Sequence, residues 1–147
     1  MFKEISELKN KISNNLSEVL ELKTSLKNKE LEKQDLMKEF FLAIIEVVDS
    51  YENKENSLLE KIPSDSECIK IINSFSAIKK KLLNLLLKYG VTKVEFPENK
   101  LIIGFSKVVG TEPDPTKKND SIISIVRNGY IRAHEVIREA ELIIVKN

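Results

Sequence analysis

A chain of 147 residues is the size of one domain, or of one small domain with an extended helical region. An apolar share of 41% can supply a core, 32% charged residues suits exposed helices, and a net charge of +1 leaves no excess of positive charge to attract nucleic acid. Cys68 is the single cysteine, which excludes an internal disulfide and makes a reducing compartment the default. The opening residues, MFKEISELKNK, mix acids and bases among apolar positions and lack the apolar run of a secretory signal. The longest apolar runs, residues 40–45 and 82–87, are too short to span a bilayer. The expectation is a soluble, cytoplasmic protein with no membrane or nucleic-acid partner.

Residues 3–61 read as one helix, because no Pro or Gly occurs before Pro63 and Leu, Glu and Lys dominate. Counting in sevens from Ile5 puts Ile5, Ile12, Val19 and Leu26 at one seam position. Leu8, Asn15, Leu22, Lys29 and Leu36 fall at the other. β-Branched residues at the first position with Leu at the second form the pattern of a parallel two-stranded coiled coil, in which Asn15 would fix register at some cost in stability. Such a helix spans on the order of 80 Å, and one chain alone cannot bury its seam, so a homodimer is expected. From Phe40 onward the apolar stripe widens to Phe40, Phe41, Ile44, Ile45, Val47 and Val48, as in a helix that enters a bundle.

Ile62-Pro63-Ser64 ends that helix, and Ser64 with Glu67 has the spacing of a capping box that starts a second one. Ile72, Phe75, Ile78, Leu82, Leu85, Leu86 and Tyr89 recur at helical spacing, and Gly90 is a C-terminal stop. Two helices joined by a short loop pack antiparallel, so two such hairpins in a dimer make four helices. Phe40, Ile44, Phe75, Ile78, Leu82 and Leu85 are the expected bundle contacts. Cys68 is expected on the apolar side as a small buried residue.

After Gly90 the pattern turns toward period two. Val91, Val94 and Phe96 suggest a strand ended by Pro97, residues 100–109 a second apolar stretch, residues 110–120 a long turn, and residues 121–127 another strand. Asn128-Gly129 is a strong hairpin signal. Beyond Tyr130, residues 131–142 contain good helix formers, so propensity alone favours a short helix before a strand over residues 142–146. Ile102, Phe105, Ile123, Ile125 and Ile144 are core candidates, with any left exposed forming a docking patch. The expected fold class is α+β, mainly α, divided into residues 1–39 (dimerisation helix), 40–90 (helical hairpin) and 91–147 (compact β-domain).

No catalytic, cofactor or metal site is expected. His134 is the only histidine and reads as a surface or turn residue. The four glycines are unclustered, which excludes the familiar phosphate-cradling loops, and no Cys/His set suits zinc. Lys79-Lys80-Lys81 lacks interleaved aromatics and reads as a solvated face. Arg138 could pair with an acid inside the domain or contact a partner.

Several segments, taken in order, resemble the GrpE family of nucleotide exchange factors for DnaK-type chaperones. They are Val47-Val48-Asp49-Ser50-Tyr51-Glu52, Leu86-Leu87-Lys88-Tyr89-Gly90-Val91, Phe96-Pro97-Glu98-Asn99, and an ungapped ending through Gly129-Tyr130, Ile137-Arg138-Glu139-Ala140 and residues 142–146. The resemblance implies a paired helix, a dimeric four-helix bundle and a β-domain. It also implies short strands after Tyr130, and strands are the expectation carried forward. By the same resemblance the chain is not an enzyme and needs no cofactor. It binds the ATPase domain of a DnaK-type chaperone through Asp49, Glu52, Gly129, Tyr130, Glu135, Arg138 and Ile144, and meets adenosine nucleotide only through that partner. The chain departs from the family pattern at Lys100, where a histidine is usual, at His134-Glu135, where Gly-Arg is usual, and at Glu139, often a proline. Its 110–120 turn is longer than usual, and residues 31–39 lack the family's basic run. Glu135 reverses a charge at an implied interface, which against an unchanged partner costs several kcal/mol. The second expectation is therefore a GrpE-like dimeric scaffold serving a different or specialised partner.

Overall fold

The computed structural model describes residues 1–61 and 67–147. Helix α1 spans Phe2–Leu59 and helix α2 spans Glu67–Lys88, as expected for stretches free of Gly and Pro. The capping box at Ser64 and the break at Pro63 lie outside the described residues. Glu67 in the first turn of α2 and Lys88 in its last turn complement the helix dipole. Gly90, at φ +77°, then takes the left-handed conformation that ends a helix cheaply, and its N–H donates to the Leu87 carbonyl at 2.9 Å. Cys68, in the first turn of α2, is exposed rather than buried.

The chain divides into two compact units, residues 1–39 and residues 40–147. In the first unit nearly every residue of the helix is exposed, the apolar ones included. The second contains the helical hairpin and six strands: β1 (Val91–Lys93), β2 (Ser106–Glu112), β3 (Ile122–Arg127), β4 (Tyr130–Arg132), β5 (Glu135–Arg138) and β6 (Ala140–Val145). They form two three-stranded sheets, ordered β1-β4-β5 and β2-β6-β3. The first is antiparallel throughout. In the second, β6 lies between a parallel β2 and an antiparallel β3. The core sits under β6, where Ala140, Leu142 and Ile144 meet Ile122, with Phe96 and Leu101 packed against them. The chain is thus α+β and mainly helical, and the stretch after Tyr130 is strand despite its helix-forming composition.

Three expectations for the β-region need correction. Asn128-Gly129 is not a hairpin turn, since β3 and β4 belong to different sheets. Among the described glycines only Gly90 and Gly104 have positive φ, whereas the favoured Asn-Gly hairpin turn needs it at both residues. Gly129 is required for a different reason: a Cβ there would lie 2.7 Å from the Ala140 nitrogen and 3.0 Å from Val94 Cγ2. The two-residue hairpin joins β4 to β5 instead, through Ala133 (φ 47°) and His134 (φ 71°), both left-handed. That His134 lies in a turn agrees with the sequence reading.

The second strand begins at Ser106 and runs through Gly110 to Glu112, taking residues from the expected long turn, because pairing with β6 continues to Val145 across a bulge between Val108 and Gly110. The remaining turn is tied to the C-terminus. The Thr116 hydroxyl and N–H both donate to Asp114 Oδ1, the Asn147 side chain bonds the Asp114 backbone, and the Thr116 bonds hold the Asp114 carboxyl below the usual range. Finally, Ile122 rather than Ile123 or Ile125 is the core residue of β3. Bulges on either side of Ser124-Ile125 displace the simple alternation and leave Ile125 exposed. Ile102 and Phe105 are half-buried and Ile144 is buried.

Candidate partner-binding site

One face of α1 carries the site. Phe41, Ile45 and Val48, spaced four and three apart, are fully buried, and Asp49 and Glu52 continue that face by one further turn. Three cations from the β-region converge on the two carboxylates. Arg138 forks onto Asp49, with Nη2 at 3.0 Å from Oδ1 and Nη1 at 2.5 Å from Oδ2, while Arg127 Nε donates to the same Oδ2 at 3.1 Å. Glu52 accepts from Lys93 Nζ at 3.0 Å and from Asn128 Nδ2 at 3.1 Å. Arg138 also donates to the Asn128 carbonyl through Nη2 at 2.7 Å and Nε at 3.1 Å, so its guanidinium is almost fully used. The side chains of Arg138 and Asp49 are only 11% and 15% exposed, which favours a tight bidentate pair over a solvated one.

The Tyr130 ring lies beneath Arg138, 5.4 Å from the guanidinium carbon, and is buried. Burial first, then the charges of Glu52 and Asp49, push its hydroxyl up to about 12, so it stays protonated. That hydroxyl has no hydrogen-bond partner among the described residues. Arg132 makes a second junction. Its Nε donates to the Tyr89 carbonyl at the end of α2 at 3.1 Å, and its guanidinium lies over the Phe41 ring, which also meets Tyr89 at 6.0 Å. The hairpin has its own polar tie: Glu55 accepts from Ser76 and pairs with Lys79, and the Tyr51 hydroxyl donates to the Ile72 carbonyl. The Lys79 bond holds the Glu55 carboxyl below its usual range. An open cleft of about 450 Å³ lies between α1 and β3, lined by Glu46, Asp49, Glu52, Arg127, Asn128 and Glu141 among others. No cluster of His, Cys, Asp and Glu suited to a metal occurs among the described residues. No described helix is long and apolar enough to cross a membrane.

The family model described as GrpE matches residues 1–146. This chain belongs to the GrpE family. Among curated relatives, Protein GrpE of Ehrlichia canis (strain Jake) is 29% identical over 101 residues, covering 69% of this chain and 49% of that protein. Protein GrpE of Ehrlichia chaffeensis (strain ATCC CRL-10679 / Arkansas) is also 29% identical over 101 residues, covering 48% of its length. The chain spans about half the length of these relatives.

In this GrpE-family chain the seven residues implied as chaperone contacts do not form one open surface. Asp49, Glu52 and Arg138 come together but spend their charges on one another and on Arg127, Lys93 and Asn128. Gly129, Tyr130 and Ile144 are buried. Glu135, at the start of β5 beside His134, is the one that is exposed. Of the two roles left open for Arg138, the internal ion pair is the one its geometry uses. Sequence reasoning did not assign Arg127, Lys93, Asn128 or Arg132 to the site. Their partners lie 41 to 78 residues away, beyond any local pattern.

The implied dimer residues Ile5, Leu8, Ile12, Val19, Leu22 and Leu26 are 47–62% exposed, as are Leu16 and Leu20 beside them. In the hairpin, Phe40, Phe75, Ile78 and Leu85 are exposed, while Ile44 and Leu82 are half-buried. A row of large apolar side chains left in water is the condition a second surface relieves.

Proposed function

We propose that this chain is a co-chaperone: a homodimer that binds the ATPase domain of a DnaK-type chaperone and promotes ADP release by favouring the open nucleotide cleft. The family match over residues 1–146 carries the reading. No covalent chemistry is needed. A protein that binds the open form of its partner more tightly than the closed form shifts the equilibrium by the difference in affinity, and linkage requires ADP to weaken the complex by the same factor. Residues 1–39 pair as a coiled coil, residues 40–90 supply half of a four-helix bundle, and residues 91–147 grip the partner. Exposed apolar side chains from Ile5 to Leu26 and at Phe40, Phe75, Ile78 and Leu85 support the pairing. The exposed β4–β5 turn with Glu135 offers a contact surface. The test is stopped-flow release of a fluorescent ADP from the DnaK-type chaperone of the same organism. Acceleration at micromolar protein is expected, and none at that concentration rejects the reading for that partner.

A second reading rests on Glu135, an exposed acid where the family resemblance implies an arginine. The same dimeric scaffold would then serve a different or specialised partner. A pull-down from native lysate separates the two readings, since ATP-sensitive recovery of the housekeeping chaperone counts against reuse.

A further inference from the structure

Side-chain hydrogen bonds join the β-region to α1. Phe41, Ile45 and Val48 are buried on the same face of α1, and the charge pairing beside them is one-directional. Both anions, Asp49 and Glu52, stand on the helix one turn apart, and all three cations, Lys93, Arg127 and Arg138, come from the β-region. Arg138 is anchored at its other side by the Asn128 carbonyl, which fixes the direction in which its fork points. A bidentate, partly buried pair constrains orientation as well as distance, which a single lysine contact does not. The bond spans 89 residues of sequence, so it sets how residues 91–147 are aimed relative to the helical hairpin.

From this geometry we infer that the Asp49–Arg138 pair, backed by Arg127 and by Glu52 with Lys93, is an orientation latch. It holds the β-region in the one pose that can engage the partner, without touching that partner itself. The inference rests on the proposed exchange function for its consequence, though not for the latch itself. Its signature is specific. Loosening the latch lowers the fraction of chains aimed correctly and raises the apparent dissociation constant in inverse proportion. The rate at saturation, which depends on the bound pose, stays as it was. Asp49 and Arg138 are thus positioning residues.

The test uses the full chain in two arms. In the first, nucleotide release from the DnaK-type chaperone is measured against protein concentration for wild type, D49N, D49E, R138K and, as a control away from the latch, E55Q. D49N is expected to raise the half-saturating concentration about tenfold with the plateau rate kept. D49E and R138K, which keep the charge but lose the fork geometry, fall between, and E55Q leaves half-saturation unchanged. In the second arm, energy transfer is read between dyes on the exposed Cys68 and on H134C, with labelled chain diluted in excess unlabelled chain so that the distance is within one protomer. D49N and R138K are expected to broaden the distance distribution. A wild-type distribution in D49N overturns the latch, and so does a wild-type half-saturation. If D49N does not fold, R138K decides by the same criteria. If wild type itself fails to accelerate release, the exchange function falls while the distance arm still decides the latch.

Discussion

The two units of this chain meet the same requirement, the burial of apolar side chains, in opposite ways. In residues 40–147, Leu142, Ala140, Val145 and Tyr130 are almost completely buried by the chain itself, and polar junctions such as Asp49–Arg138 are satisfied from both sides. In residues 1–39, Ile5, Leu8, Ile12, Val19, Leu22 and Leu26 present their apolar surface to water. Helix propensity alone gives an isolated helix only marginal stability, and most helical stability comes from packing an apolar face. The second unit therefore carries its own core, while the first leaves its apolar seam exposed, and the proposed function covers that seam with a second copy.

The sharpest way to break this contrast is to make the seam unburiable. Leu22→Asp places a carboxylate at the centre of the proposed interface, where an uncompensated buried charge costs about 3–5 kcal/mol per chain. Sedimentation equilibrium is expected to fall from twice the chain mass to the chain mass, and an unchanged mass removes the seam from the account. Within the second unit, Gly129→Ala drives a Cβ against the Ala140 backbone nitrogen, 2.7 Å away. Overpacking of this kind costs about 1–3 kcal/mol, read as a lower denaturant midpoint with no change in subunit mass. If Gly129 served instead as a left-handed turn residue, Ala would act through backbone strain and Asn would be tolerated; here both are expected to destabilise.

A smaller effect of opposite sign is expected at the β4–β5 turn. Ala133→Asn with His134→Gly replaces two strained left-handed residues by the pair that this turn favours, and is expected to stabilise by about 1 kcal/mol, seen as a raised midpoint. The smallest effect concerns pH. Because Lys79 and Ser76 hold the folded Glu55 carboxyl below its unfolded value, its contribution is present above the unfolded pKa and lost as pH falls through the folded one. E55Q is expected to lower the midpoint near pH 7 and to narrow the difference between about pH 7 and about pH 3. An unchanged acid dependence would remove Glu55 as a source.

What was legible in the sequence follows the range of the interactions concerned. Both helices and the stop at Gly90 are written in spacing of three to four and in the placement of Gly and Pro, so local patterns suffice for them. The parallel pairing of β2 with β6 is not local, and Gly110 looked like the start of a turn when it is the middle of a strand. Asn128-Gly129 misled because glycine serves two purposes, positive φ and close approach, and local sequence does not distinguish them. The real turn, Ala133-His134, carries no turn composition and is imposed by the pairing of β4 with β5. The site was half visible. Asp49 and Arg138 were identified individually through the family resemblance, but that they are each other's partner depends on a contact across 89 residues.

The central claim, that this chain discriminates between nucleotide states of a chaperone, is tested most directly by linkage. Isothermal titration of the intact chain into the ATPase domain of the DnaK-type chaperone, with and without saturating ADP, measures the coupling from the other side. Binding that is weakened by about tenfold or more in ADP is the predicted result. Equal affinity in both conditions would contradict the account, because a protein that binds both states equally shifts neither.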